Sequence, residues 1–81
     1  MEPYEELINA IILQAATDYR NALERMKKFP KDSDARHTKR ECEEFFRSTW
    51  FSDISDADGD LIIKKIKMEV NRLWKSQQEN F

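Results

Sequence analysis

Asp56, Asp58 and Asp60 alternate around Gly59, the only glycine of the chain, and alternating carboxylates beside a glycine are how a helix-loop-helix site wraps calcium. Neither register works. With Gly59 sixth, Ile54 stands first and Lys65 twelfth; starting at Asp56 puts Leu61 where the glycine belongs. The same side chains accept hydrogen bonds from free helix N–H groups, so they are expected to cap a following helix. His37 and Cys42 are the other candidates, as a base and nucleophile or as two metal ligands. Five residues apart on a helix, they point about 140° away from each other. With one His and one Cys in the chain, zinc would need carboxylates or a second chain to complete its shell. Cys42 is expected to pack as a small hydrophobe and His37 to face solvent. A single glycine also rules out a glycine-rich phosphate loop. The chain reads as a non-enzyme, with no cofactor and no metal.

The elements that position these residues are helical. Eighty-one residues make one domain, and 37% charged residues with two prolines and one glycine favour helix over a turn-rich β fold. Pro3 suits a first helical turn, where Glu5 and Glu6 complement the helix dipole. From there Ile8, Ile12, Ala15, Tyr19, Ala22, Met26 and Phe29 recur at spacings of four and three, one apolar seam closed by Pro30. Lys31 to Asp34 read as a turn, with Asp32 or Ser33 capping a second helix. Ala35, Thr38, Cys42, Phe45 and Thr49 mark its inner stripe, and Phe46 widens it. Lys39–Glu43, Arg40–Glu44 and Glu43–Arg47 stand at i,i+4 and are expected to pair on its outer face. A third helix is expected to start between Asp56 and Asp60, with Ile63, Ile66, Val70 and Leu73 facing inward.

Four of the nine aromatic residues fall between Phe45 and Phe51. Phe45 and Phe46 point about 100° apart and need a wide apolar face, while Trp50 and Phe51 are expected to plug a bend between the second and third helices. The small Ala15 and Ala22 leave a groove for Phe46 or Trp50, and Asp18 beside it is expected to accept a hydrogen bond from Arg47 or the Trp50 indole. The predicted architecture is an all-α three-helix bundle with one long N-terminal helix and an aromatic-rich bend.

Charge falls in blocks. Residues 1–19 carry minus four, 20–40 plus five, 41–60 minus six and 61–81 plus three, which sum to the net minus two. Arg25, Lys27, Lys28, Lys31, Arg36, Lys39 and Arg40 surround the first interhelical turn and form a candidate phosphate-binding surface. The alternative is a solvated basic end that balances an acidic one. A DNA-reading helix-turn-helix is disfavoured, because Thr49 to Asp58 is too long for its three-to-four-residue turn. Leu7, Ile8, Ile11, Ile12 and Leu13 span well over 200° of the first helix, and Leu61 and Met68 lie opposite the Ile63, Ile66 and Val70 face. Leu7, Ile11, Leu13, Leu61 and Met68 are therefore candidate interface residues, for a protein partner or a homodimer. No apolar run approaches the roughly 18 residues of a membrane span. The acidic opening Met1-Glu2-Pro3-Tyr4-Glu5-Glu6 is unlike a secretory signal, and the expected location is the cytoplasm.

Ile12 to Arg20, the core Cys42-x-x-Phe45-Phe46-Arg47-Ser48-x-Trp50-Phe51, and Asp58-Gly59 before an Ile-rich helix resemble small uncharacterised helical proteins of phages and integrative elements of Gram-positive bacteria. The resemblance covers most of the chain. It implies a bacterial host cell and a mobile-element context, in which such proteins inhibit or redirect host machinery, CRISPR nucleases and other defences among it. The expected function is thus a protein-interaction module, with nucleic-acid binding and a structural homodimer or phage assembly part as alternatives.

Overall fold

A computed structural model describes residues 3–79, with side chains described to residue 77. The order is α1 (Pro3–Lys28), α2 (Ser33–Phe46), α3 (Thr49–Ile54) and α4 (Gly59–Glu79), all helical. α2 runs back along α1, and α4 lies against both. Four helices rather than three result because Ser48 serves two of them. Its hydroxyl donates to the Phe45 carbonyl at 2.7 Å, closing α2, and accepts from the Phe51 N–H at 3.1 Å, opening α3. The expected aromatic bend is thereby wound into a short helix.

That winding separates the two rings at the bend. Neighbours on a helix diverge by about 100°, so only one of Trp50 and Phe51 can face inward. Phe51 is fully buried, whereas Trp50 is 50% exposed and lies over Phe45 with ring centroids 5.5 Å apart. Trp50 is not a core residue. Neither is Leu73, which is exposed because α4 there meets only the polar last turns of α1, Glu24, Lys27 and Lys28, across an open cleft. Phe29 is exposed too, past the end of α1, with the Arg25 guanidinium 5.5 Å from its ring centre.

The core is built from Tyr19, Cys42, Phe46, Phe51, Ile63, Ile66 and Val70, with Ile12, Ala15, Ala16, Leu23, Phe45 and Ile62 half-buried around it. Phe46 meets Tyr19, Phe45 and Phe51 edge-on at 5.3 to 6.5 Å, the geometry that aromatic quadrupoles favour. Ala22 and Ala35 are buried nearer the α1–α2 turn. Asp32 caps α2 by accepting the Ala35 N–H at 3.0 Å, and it also takes the Arg25 side chain. Asp58 caps α4, its Oδ1 accepting the Asp60 N–H at 3.0 Å and the Leu61 N–H at 3.3 Å. The acidic loop thus does the work of a cap. Gly59 is required by close approach, since a Cβ there would stand 1.8 Å from the Phe46 carbonyl oxygen. No described helix is long and apolar enough to cross a membrane.

Candidate interaction surfaces

Arg20 reaches Glu69 at 2.8 Å, and Leu23 and Met26 line a cleft with Val70 and Asn71, so α4 runs parallel to α1. With this offset α4 begins roughly two to three turns into α1, and α2 ends near the same level. The first turns of α1 therefore overhang the bundle. Among residues 3–11 only Ile8 is even half-buried. Tyr4, Leu7 at 59% and Ile11 are exposed along one arc of the overhang, while Glu5 and Glu6 are exposed across the helix from it. Leu13 is exposed on the opposite side of α1. The radius of gyration, 14.2 Å, exceeds the roughly 12 Å of a compact chain this long, as a projecting helix requires.

A second exposed apolar line lies on α4. Leu61 and Met68, the latter 60% exposed, stand on the side away from Ile63, Ile66 and Val70. Lys64, Lys65, Arg72 and Lys75, all exposed, surround them. Reading the C-terminal segment by its summed charge hides this stripe. The spacing Leu61, Lys65, Met68, Arg72, Lys75, alternately four and three, displays it.

The basic block around the first turn is partly consumed inside the fold. Arg25 pairs with Asp32, Arg36 donates to the Pro30 carbonyl at 2.9 Å, and Lys39 reaches Glu43 at 3.1 Å. Lys27 and Lys28 line the cleft with Val70, Leu73 and Trp74, while Lys31 and Arg40 face solvent. Asp18 does not meet Arg47 or Trp50 as expected. It accepts from Gln14 at 2.8 Å, because Arg47 turns the other way, to Asp60 at 2.9 Å. His37 pairs with Glu41 on an exposed surface.

The polar centre of the fold is Glu43, placed by its i,i+4 spacing on an outer face and found instead between helices. Its Oε2 accepts the Tyr19 hydroxyl at 2.6 Å, with Lys39 at 3.1 Å and Lys67 of α4 at 3.5 Å. Burial alone would raise the carboxyl, but hydrogen bonds from Tyr19 and Lys39 hold it below the ordinary glutamate range. Burial first, and the hydrogen bond to Glu43 second, push the Tyr19 phenol well above its usual value. Burial likewise pushes the Cys42 thiol up, which keeps it protonated and unreactive. Among the described residues no group of three or more His, Cys, Asp or Glu side chains is arranged to hold a metal.

Two openings among the described residues are surface grooves. One of about 410 Å³ runs between α1 and α2 over Asp18, Ala22, Ala35 and Thr38, and another of about 480 Å³ lies beside Arg47, Asp60 and Met68. Neither gathers a nucleophile with a base. Comparison with family models, curated proteins and solved structures returned no match to this chain.

Proposed function

We propose that the chain is a non-enzymatic protein-interaction module that docks through the N-terminal overhang of α1. The observation that carries this reading is the arc of Tyr4, Leu7 and Ile11, projecting beyond the bundle with little of its own chain to cover it. An amphipathic helix laid on a partner's groove is a recurrent recognition mode, anchored by residues at i, i+3 and i+7. Tyr4, Leu7 and Ile11 have that spacing. In the mobile-element setting that the family resemblance implies, the partner is a host or element-encoded protein, and a defence factor is one such target. Nucleic-acid binding is the weaker reading, because Arg25, Arg36 and Lys39 are engaged within the fold.

Affinity capture from a bacterial lysate, with and without nuclease treatment, tests it. A protein held by the wild type through nuclease treatment, and lost with Leu7→Glu plus Ile11→Glu at unchanged melting temperature, is the expected outcome. Retention that disappears with nuclease, and with neutralised Lys27, Lys28, Lys31 and Arg40, would overturn it in favour of phosphate binding.

A further inference from the structure

Four cations without a partner stand together on α4. Its outer face, turned away from Ile63, Ile66 and Val70, carries Lys64, Lys65, Arg72 and Lys75 within about 100° of the helix circumference. All four are exposed, and none joins an ion pair among the described residues. Asp60 and Glu69, the acids of α4 among residues 59–77, flank this arc on either side and are both engaged, Asp60 by Arg47 at 2.9 Å and Glu69 by Arg20 at 2.8 Å. The four positive charges are therefore unopposed on their own helix. The groove of about 480 Å³ beside them continues the basic surface, since Arg47, Lys67 and Asn71 line it together with Lys64 and Met68.

A protein partner would have to bring an acid to each of these cations, whereas a nucleic acid carries the matching charge in its backbone, one phosphate every ~3.4 Å along each strand of a duplex. Lys64 to Lys75 is eleven residues, about 16.5 Å of helix, the length of roughly five such phosphates. A lipid surface fits less well. A helix that lies in a membrane buries its apolar face there, but the apolar face of α4 is spent on the core, and only Leu61 and Met68 stand among the cations. We propose that the protein binds the phosphate backbone of nucleic acid across the outer face of α4, with the groove beside Arg47 at the edge of the contact. This activity is separate from docking through the α1 overhang, and it uses none of the cations around the first interhelical turn.

Anisotropy of a labelled DNA duplex of about 20 base pairs, titrated between about 50 and 200 mM salt, tests the contact. Wild type is compared with three variants. One changes Lys64, Lys65, Arg72 and Lys75 to Gln, one changes Lys27, Lys28, Lys31 and Arg40 to Gln, and one carries Leu7→Glu with Ile11→Glu. All these positions are exposed, and thermal melting checks that each variant is folded. The two Gln variants lose the same charge, so the difference between them reads place rather than net charge. Four phosphate contacts give a log–log salt slope of about −3.6, so wild-type affinity is expected to fall roughly 100-fold across that range. The α4 variant is expected to bind at least about tenfold more weakly at the lower salt and to lose most of the slope, and the other two to stay within about threefold of the wild type. No binding by the wild type at about 50 mM salt overturns the proposal. So does an equal loss in the two Gln variants, and so does wild-type binding to phosphatidylserine vesicles with none to the duplex. The overhang variant keeps the two functions apart, since it is expected to retain the duplex while releasing the captured protein.

Discussion

The Tyr19 hydroxyl donates to Glu43 Oε2 at 2.6 Å across the α1–α2 interface, tying a fully buried ring to a carboxylate that also meets Lys39 and, from α4, Lys67. This contact joins three helices at one atom. A hydrogen bond to a charged group contributes roughly 1.5 to 3 kcal/mol, and Glu43 keeps its lysines when the hydroxyl is removed. Tyr19→Phe is therefore expected to cost about 1 to 2 kcal/mol in chemical denaturation. Denaturation unchanged from the wild type would show the bond to be incidental.

The same pair gives stability a pH dependence with two limbs. Glu43 and Asp32 are both held below the ordinary carboxylate range, Asp32 first by the Arg25 side chain and then by the Ala35 N–H. A depressed carboxyl stabilises the fold above its unfolded value, and that contribution is lost as pH falls through the lower folded value. Tyr19 shifts upward, so its contribution is present below the unfolded value near pH 10 and is lost as pH rises beyond it. Thermal melts are expected to hold a plateau between these limits and fall below about pH 4 and above about pH 10. Tyr19→Phe should flatten the alkaline limb; a limb of full steepness in that variant would assign it to other groups.

Much of this interior was legible in the sequence. Tyr19, Cys42, Phe46, Ile66 and Val70 lie on period-3.6 stripes, and those stripes are buried. Glu43 was legible only in part: its i,i+4 spacing announces the Lys39 pair, which forms, but spacing along one helix cannot show Tyr19 of α1 and Lys67 of α4. Trp50 misled for a local reason: the two-sided cap at Ser48 winds the bend into α3 and turns the indole outward. On the surface, the overhang was foreshadowed by the excess of apolar residues before Leu13. The basic stripe of α4 was obscured by summing charge along the chain instead of around the helix.

Gly59 offers a sharp test of the packing of α4 on α2. In an ordinary helix Gly→Ala gains about 1 kcal/mol, but here the new Cβ would lie 1.8 Å from the Phe46 carbonyl oxygen. The start of α4 must then move, and overpacking of this kind costs about 1 to 3 kcal/mol. Gly59→Ala is expected to lower the melting temperature; a rise would mean that α4 stands off the end of α2.

The aromatic cluster should divide by burial. Phe46 is 2% exposed among three rings, and its truncation to Ala is expected to cost about 3 to 5 kcal/mol. Trp50→Ala, at a half-exposed ring, should cost less than half as much in the same denaturation assay. Equal losses at the two positions would place the indole in the core after all.

The docking surface itself is read most directly by hydrogen exchange of the protein alone and with the partner retained in the capture. Slowed exchange in the first turns of α1, through Leu13, with the basic residues from Lys27 to Arg40 unchanged, is the outcome predicted for an overhang that docks. Protection confined to Lys27 through Arg40, with those first turns exchanging as fast as in the free protein, would contradict it.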